Sequence, residues 1–164
     1  MKKILITGSN GQLGSDCLNF YSSIGEVLGL DLPFADLTNQ KELNNYLNTY
    51  KPNIIINCAA YTNVDKCESD PLCWRVNEDI PNYLSQWSSK NNALLVHIST
   101  DYVFDGNKER NEYWIEDELP NPLSEYGKSK FAGEQIIQNN MDNFIILRTA
   151  WLYGKNGKNF LKTI

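Results

Sequence analysis

The sequence predicts an α/β fold, a doubly wound parallel sheet, on three observations. Short, continuously apolar, β-branched runs alternate with stretches of helical periodicity along the chain, the pattern of βαβ units with helices on both faces. A cluster of glycines stands where the first run meets the first helical stripe. The length of 164 residues suits one domain of roughly 100–200 residues, so residues 1–164 are expected to form a single unit. No repeat, low-complexity tract or interdomain linker interrupts them.

The elements follow in order. Ile4-Leu5-Ile6, stopped by Gly8, reads as a buried strand. A helix from about Gln12 to Ser22 carries Leu13, Cys17, Leu18 and Tyr21 on one stripe. Val27–Leu30 is a second strand closed by Asp31, and a short third is expected near Phe34-Ala35. Asn39 and Glu42 make a capping box for a helix that presents Leu43, Tyr46, Leu47 and Tyr50 and stops before Pro52. Ile54–Cys58 is too continuously apolar to have a wet face. Pro71 to about Ser89 is helical, with a bend expected at Pro81, which has no amide to donate. Leu94–Ile98 is a fifth strand, and the polar, proline-bounded stretch Asp105–Pro122 is a long loop of the kind that often carries function. A helix from about Tyr126 to Gln138 and a sixth strand, Phe144–Leu147, complete the chain.

Composition excludes several classes. With 41% apolar and 21% charged residues, the chain has ordinary globular composition and is not disordered. Twenty acids against 15 bases give a net charge of −5, which disfavours nucleic acid as a partner. Lys2-Lys3 precede only Ile4–Ile6, too short for a secretory signal, and no run approaches the roughly 18 apolar residues of a membrane span. The four cysteines include no Cys-x-x-Cys pair, so a reduced, cytoplasmic chain is expected. With the single histidine, His97, inside an apolar run, the usual zinc ligand sets cannot be assembled and no metal is expected. A buried strand histidine is the preferred reading over a member of a Ser-His-Asp triad.

Chemistry is concentrated at strand ends. Gly8-Ser9-Asn10-Gly11-Gln12-Leu13-Gly14 joins the first strand to the first helix, where glycines let backbone approach a pyrophosphate met by amides and the helix dipole. A purely structural turn is the competing reading. Asp31 ends the second strand at the place where a Rossmann fold sets an acid against the adenosine ribose, and its charge favours NAD over NADP; a solvated loop acid is the alternative. Asp36-Leu37 would flank the adenine. Tyr126 and Lys130 lie one helical turn apart on one face. A phenol that titrates near ~10 needs about 3 units, or ~4 kcal/mol, of help to cycle its proton at neutral pH. An ammonium at about 4 Å in an effective dielectric near 20 supplies roughly that, although the same spacing arises by chance on any helix. Ser99-Thr100-Asp101 follows the fifth strand, where ligands bind in such sheets, or is a plain polar turn. Trp151 and Tyr153 follow the sixth, as ligand contacts or as core aromatics.

These residues resemble the extended short-chain dehydrogenase/reductases and, within them, the dTDP-4-dehydrorhamnose reductases. The resemblance rests on Ile6–Gly14, Ile56–Glu68, His97–Gly106, Asn121–Leu123, Tyr126–Lys130 and Arg148–Gly154; the second and third of these segments are the ones specific to the rhamnose reductases. It implies that Tyr126 donates the proton, Lys130 lowers its pKa and binds the nicotinamide ribose, and Thr100 holds the sugar carbonyl. Gly11, Gln12 and Leu13 would line the pyrophosphate between Gly8 and Gly14, Asp31 the adenosine ribose, and Ala60, Tyr61 and Thr62 the cofactor beyond the fourth strand. Asp101 and Trp151 would touch substrate, and Asn77 matches a helix asparagine of structural or proton-relay role. The implied reaction is hydride transfer from NAD(P)H to the 4-keto carbon of dTDP-4-dehydro-L-rhamnose, giving dTDP-L-rhamnose for cell-surface polysaccharide. Members of the family continue beyond Gly157-Lys158-Asn159-Phe160 into a C-terminal substrate lobe, whereas the chain here stops at Ile164, so it is read either as a fragment of a longer protein or as having an incomplete sugar site. The expectation is therefore dinucleotide binding with poor turnover of the dTDP-linked 4-keto sugar. A related nucleotide-sugar epimerase or dehydratase, and a non-catalytic cofactor-binding regulatory subunit, are the alternative readings; a homo-oligomer is left open.

Overall fold

Among the described residues, five strands, not six, build the sheet. The computed structural model describes residues 1–109, 111–157 and 162; the family comparison at Lys158–Phe160 and Ile164 falls outside them. Along the chain run β1 (Lys3–Thr7), α1 (Gln12–Tyr21), β2 (Glu26–Leu30), α2 (Gln40–Tyr50) and β3 (Ile54–Asn57). Short helices α3 (Val64–Cys67) and α4 (Leu72–Trp74) lead through a π turn, Arg75–Asp79, into α5 (Ile80–Asn91). Then come β4 (Leu94–Thr100), a 3-10 turn (Asp101–Val103), α6 (Glu125–Asn140) and β5 (Phe144–Thr149). All pairings are parallel, in the order β2-β1-β3-β4-β5.

The strand expected at Phe34-Ala35 does not form. The Asp31 carbonyl captures the amides of both Phe34 and Ala35 in a turn, Phe34 is 81% exposed, and Ala35 drops into the core. Two apolar residues between Pro33 and Asp36 are too few to extend a sheet edge. The chain therefore returns from β2 through α2 to β3, and the strand order reverses between β1 and β3. Ligand crevices open at such switch points, beyond the carboxyl ends of the strands.

Alternation along each strand sorts the side chains into two cores. Leu5, Ile55 and Leu95 join Leu43 and Leu47 of α2, Leu84 of α5 and Ile137 of α6 on one face. Ile4, Ile6 and Ile56 face Cys17 and Leu18 of α1 on the other. Covering of both faces is incomplete among the described residues, since Ile145 and Leu147 on edge strand β5 remain 45% and 46% exposed.

Local expectations are met with two refinements. Asn39 caps α2 by accepting from the Glu42 amide, but the Glu42 carboxylate reaches the Asp36 amide instead of closing the box. The bend expected near Pro81 is the π turn just before it, which widens the helix by one residue where a proline cannot return an amide bond.

The reduced state expected for all four cysteines is corrected at one pair. Cys67 and Cys73 are joined by a disulfide, because α3 and α4 bring their Cα atoms to 5.2 Å; Cys17 and Cys58 are free thiols. Among the described residues, no helix is long and apolar enough to cross a membrane, and no group of His, Cys, Asp and Glu is placed to hold a metal.

Candidate active site

The glycine turn is closed backbone against backbone. Gly8 has φ +65°, and a Cβ there would lie 2.6 Å from the Ala59 nitrogen of the chain beyond β3. At Gly14 it would lie 2.0 Å from the Gly8 carbonyl oxygen. The Gly11 amide donates to that carbonyl at 3.0 Å, and Gly11 starts α1 with no acidic side chain in the first turn. The helix N-terminus, positive by its dipole, is thus brought to the cleft mouth without a competing carboxylate. Asp31 is not loose: one carboxylate oxygen accepts from the Asn10 amide at 2.9 Å and the other from Leu32 at 2.8 Å. The turn and the acid at the end of β2 are therefore one rigid unit, although Asp31 stands outside the cleft lining.

A cleft of about 590 Å³ runs from this turn along the carboxyl edge of the sheet. Of the residues expected to act, it brings together Gly11, Gln12, Leu13, Ala60, Thr62, Thr100, Asp101, Tyr126, Lys130 and Trp151. Gly8, Gly14, Asp31, Asp36, Leu37 and Tyr61 are not in its lining. Gly8 and Gly14 shape the turn from behind. Asp36 binds the amide and hydroxyl of Thr38, and Leu37 is taken into the core. The tyrosine at 61 faces away, its hydroxyl donating to Asp70 at 2.7 Å.

The catalytic candidates meet at α6. Ser124 caps the helix by accepting from the Gly127 amide, which puts Tyr126 in the first turn and Lys130 one turn later, both on the cleft. The Thr100 hydroxyl accepts from the Tyr102 amide at 3.2 Å, lies 3.1 Å from the Asp101 carboxylate, and is hydrogen-bonded to the Tyr126 phenol. Tyr102 packs edge-on against the Tyr126 ring at 5.6 Å. Burial pushes the phenol above its ordinary pKa, the Thr100 hydrogen bond opposes this, and Asp101 and Tyr102 add to it. The sequence arithmetic, in which Lys130 lowers that pKa, is corrected here. Lys130 is 1% exposed, and its Nζ donates to the Ile98 carbonyl at 2.7 Å and lies 3.4 Å from His97 Nε2. Burial brings it down to about 8, against the carboxylate of Glu134 and the thiol of Cys58.

Supporting contacts come from Asn77, expected as a helix asparagine of structural or proton-relay role, and from the long loop expected to carry function. The π turn carries Asn77 fully inside, where its Oδ1 accepts from the Tyr61 amide at 2.9 Å and its Nδ2 donates to Ser129 Oγ at 3.0 Å and to the Tyr61 carbonyl at 3.1 Å. Asn77 thus ties the chain after β3 to the catalytic helix, with Cys73 Sγ 3.3 Å from the same Ser129 hydroxyl. The loop 105–122 is fixed by a stack in which Arg148 lies over Phe104, Phe104 is parallel to Trp114 at 4.6 Å, and Lys108 caps Trp114. Arg148 also makes a two-pronged ion pair with Glu134, which is fully buried. Cys58, Ser99, Tyr102, Thr149 and Ala150 line the cleft as well. Position at or just after the carboxyl end of a strand could have signalled all of these except Tyr102, which enters through the 3-10 turn.

Comparison with known proteins agrees in extent and in kind. The chain matches the family described as RmlD substrate binding domain over residues 1–164. It is 41% identical over 167 residues to a dTDP-4-dehydrorhamnose reductase of Aggregatibacter actinomycetemcomitans, covering 100% of this chain and 56% of that one. A crystal structure of a dTDP-4-dehydrorhamnose reductase from Clostridium acetobutylicum superposes with a TM-score of 0.93 at 44% identity, over 98% of this chain and 57% of that one. That of Bacillus anthracis, in complex with NADP, gives 0.92 at 39% identity, over 99% and 58%. The chain spans little more than half the length of these relatives.

Proposed function

Because the chain belongs to the RmlD substrate binding domain family, we propose that residues 1–164 are the dinucleotide-binding domain of a cytoplasmic dTDP-4-dehydrorhamnose reductase. The domain takes NAD(P)H and carries the groups that reduce the 4-keto sugar of a dTDP-linked substrate. The observation behind this reading is a single cleft in which the amino end of α1 meets Thr100, Tyr126, Lys130 and Trp151. The glycine turn suits a pyrophosphate because any side chain at Gly14 would fill the cradle. When bound, the nicotinamide supplies the hydride.

The protein supplies the proton and the alignment. Burial keeps the Tyr126 phenol protonated at neutral pH, which is the form that can donate to a carbonyl oxygen as it gains charge. The Thr100 hydroxyl, whose one proton goes to Asp101 at 3.1 Å, would turn that proton to the phenolate that remains once Tyr126 has donated. Lys130, at about 8, is mostly ammonium at pH 7 and supplies positive charge at the cleft. Asp101 and Trp151 flank the substrate side; Trp151 adopts φ +53°, a backbone state that bulky residues rarely take.

The test is a fluorescence titration of this chain with NADPH and NADH, followed by stopped-flow addition of a dTDP-linked 4-keto sugar. Saturable binding that weakens in Lys130→Met, with loss of cofactor fluorescence on addition of the sugar, is expected. Absence of saturable binding by either dinucleotide would overturn the proposal.

A further inference from the structure

Thr7, Asn57 and His97 occupy facing register positions on β1, β3 and β4, and Lys130 comes down on them from α6. None of the four is more than 1% exposed. Thr7 Oγ1 is 2.6 Å from Asn57 Oδ1, the other end of that carboxamide is 2.9 Å from His97 Nδ1, and His97 Nε2 is 3.4 Å from Lys130 Nζ. The proton and hydride steps use none of Thr7, Asn57 and His97. A row of polar groups buried this deeply requires its charged and ring groups to be paired.

That requirement fixes the protons. Burial and the neighbouring Lys130 hold the imidazole pKa well below its ordinary value, so the ring is neutral and has one N–H and one lone pair. An ammonium offers donors only. Its neighbour Nε2 is therefore the lone pair, Nδ1 carries the proton, and the Asn57 carboxamide turns its oxygen to the ring and its nitrogen to Thr7. With the amide nitrogen on Nδ1 instead, Nε2–H would face Lys130, an arrangement that suits only a neutral amine. Amide orientation and ring tautomer are set by such partners.

We infer that His97 is a positioning residue for Lys130. Its Nε2 lone pair and the Ile98 carbonyl hold the ammonium at the cleft, and the Thr7–Asn57 pair selects the tautomer that allows it. Other titratable neighbours are Tyr126 and Glu134 on the same helix, Glu134 being engaged by Arg148 of β5, and Cys58 after β3, whose thiol burial pushes up to about 12. The consequence for catalysis rests on the reductase reading; the placement of the protons does not.

The chain contains one histidine, so 15N-labelled protein gives a single imidazole spin system. At pH 7 the Nδ1–H tautomer with bare Nε2 is expected; an Nε2–H or doubly protonated ring overturns the inference. The Lys130 titration, followed through lysine 13Cε shifts, should fall by about one pH unit in His97→Leu, which removes a hydrogen bond to a charged group. His97→Gln, which keeps an acceptor at the Nε2 position, should restore it. An unchanged midpoint in folded His97→Leu also overturns the inference, and if that variant does not fold, the tautomer of the unaltered protein decides. Failure of NADPH to bind while the Nδ1–H tautomer is seen would count against the proposed function alone.

Discussion

At the Gly8–Gly14 end of the cleft the chain is shaped by what it lacks, since each missing Cβ lets one stretch of backbone touch another. At the Lys130 end it is shaped by side chains that hold one another, from Thr7 across the sheet to α6 and from Glu134 to Arg148. The first end is steric, indifferent to pH and intolerant of any substitution. The second is electrostatic, so its strength follows protonation and can be removed one partner at a time.

The sharpest break of this contrast is Gly14→Ala. A methyl 2.0 Å from the Gly8 carbonyl oxygen must displace backbone, and a cost above ~3 kcal/mol should lower Tm by about 10 °C or prevent folding. The deficit should be the same at pH 6 and pH 9 by thermal melts. Next comes Arg148→Met, which leaves the buried Glu134 carboxylate without its partner and should cost about 3 kcal/mol in urea unfolding. Adding Glu134→Gln should return a good part of that loss, which no second change can do for Gly14→Ala.

A smaller effect reads the Lys130 end directly. The folded protein releases the Lys130 proton near 8, where the ordinary value is 10.5, so between those values the unfolded chain binds more protons. Stability of the natural chain should therefore rise with pH across about 8 to 10.5, relative to Lys130→Met, by on the order of 2 kcal/mol. Cys58 and Tyr126, both pushed up by burial, act in the opposite sense at the alkaline end in both proteins. A flat difference would place Lys130 outside the buried row. Smallest is Asp31→Asn, which removes a charge beside the turn and should shift the NADPH-to-NADH Kd ratio toward NADPH by about fivefold, near 1 kcal/mol.

The same contrast explains what could be read from the chain. Gly8, Gly11 and Gly14, the Tyr126/Lys130 spacing and Thr100 after an apolar run are local patterns, and all hold the expected places at the carboxyl edge. The absent strand at Phe34-Ala35 depended on one carbonyl, that of Asp31, competing for two amides. Leu37 went to the core because α2 packs over it, and the Cys67–Cys73 pairing depended on how α3 meets α4. The direction of the Tyr126 shift was misjudged because a pair taken at about 4 Å ignored burial and the Ile98 carbonyl that engages Lys130. His97 read correctly as a buried strand residue, but its partners lie on β1, β3 and α6, beyond the reach of any local pattern.

The most direct measurement is a set of nuclear Overhauser contacts from the nicotinamide C4 protons of bound NADPH to the ring protons of Tyr126. Strong contacts to Tyr126, lost when NADPH is displaced, are predicted. Saturable binding with the nicotinamide protons in contact only with residues away from Tyr126 and Thr100 would contradict the account.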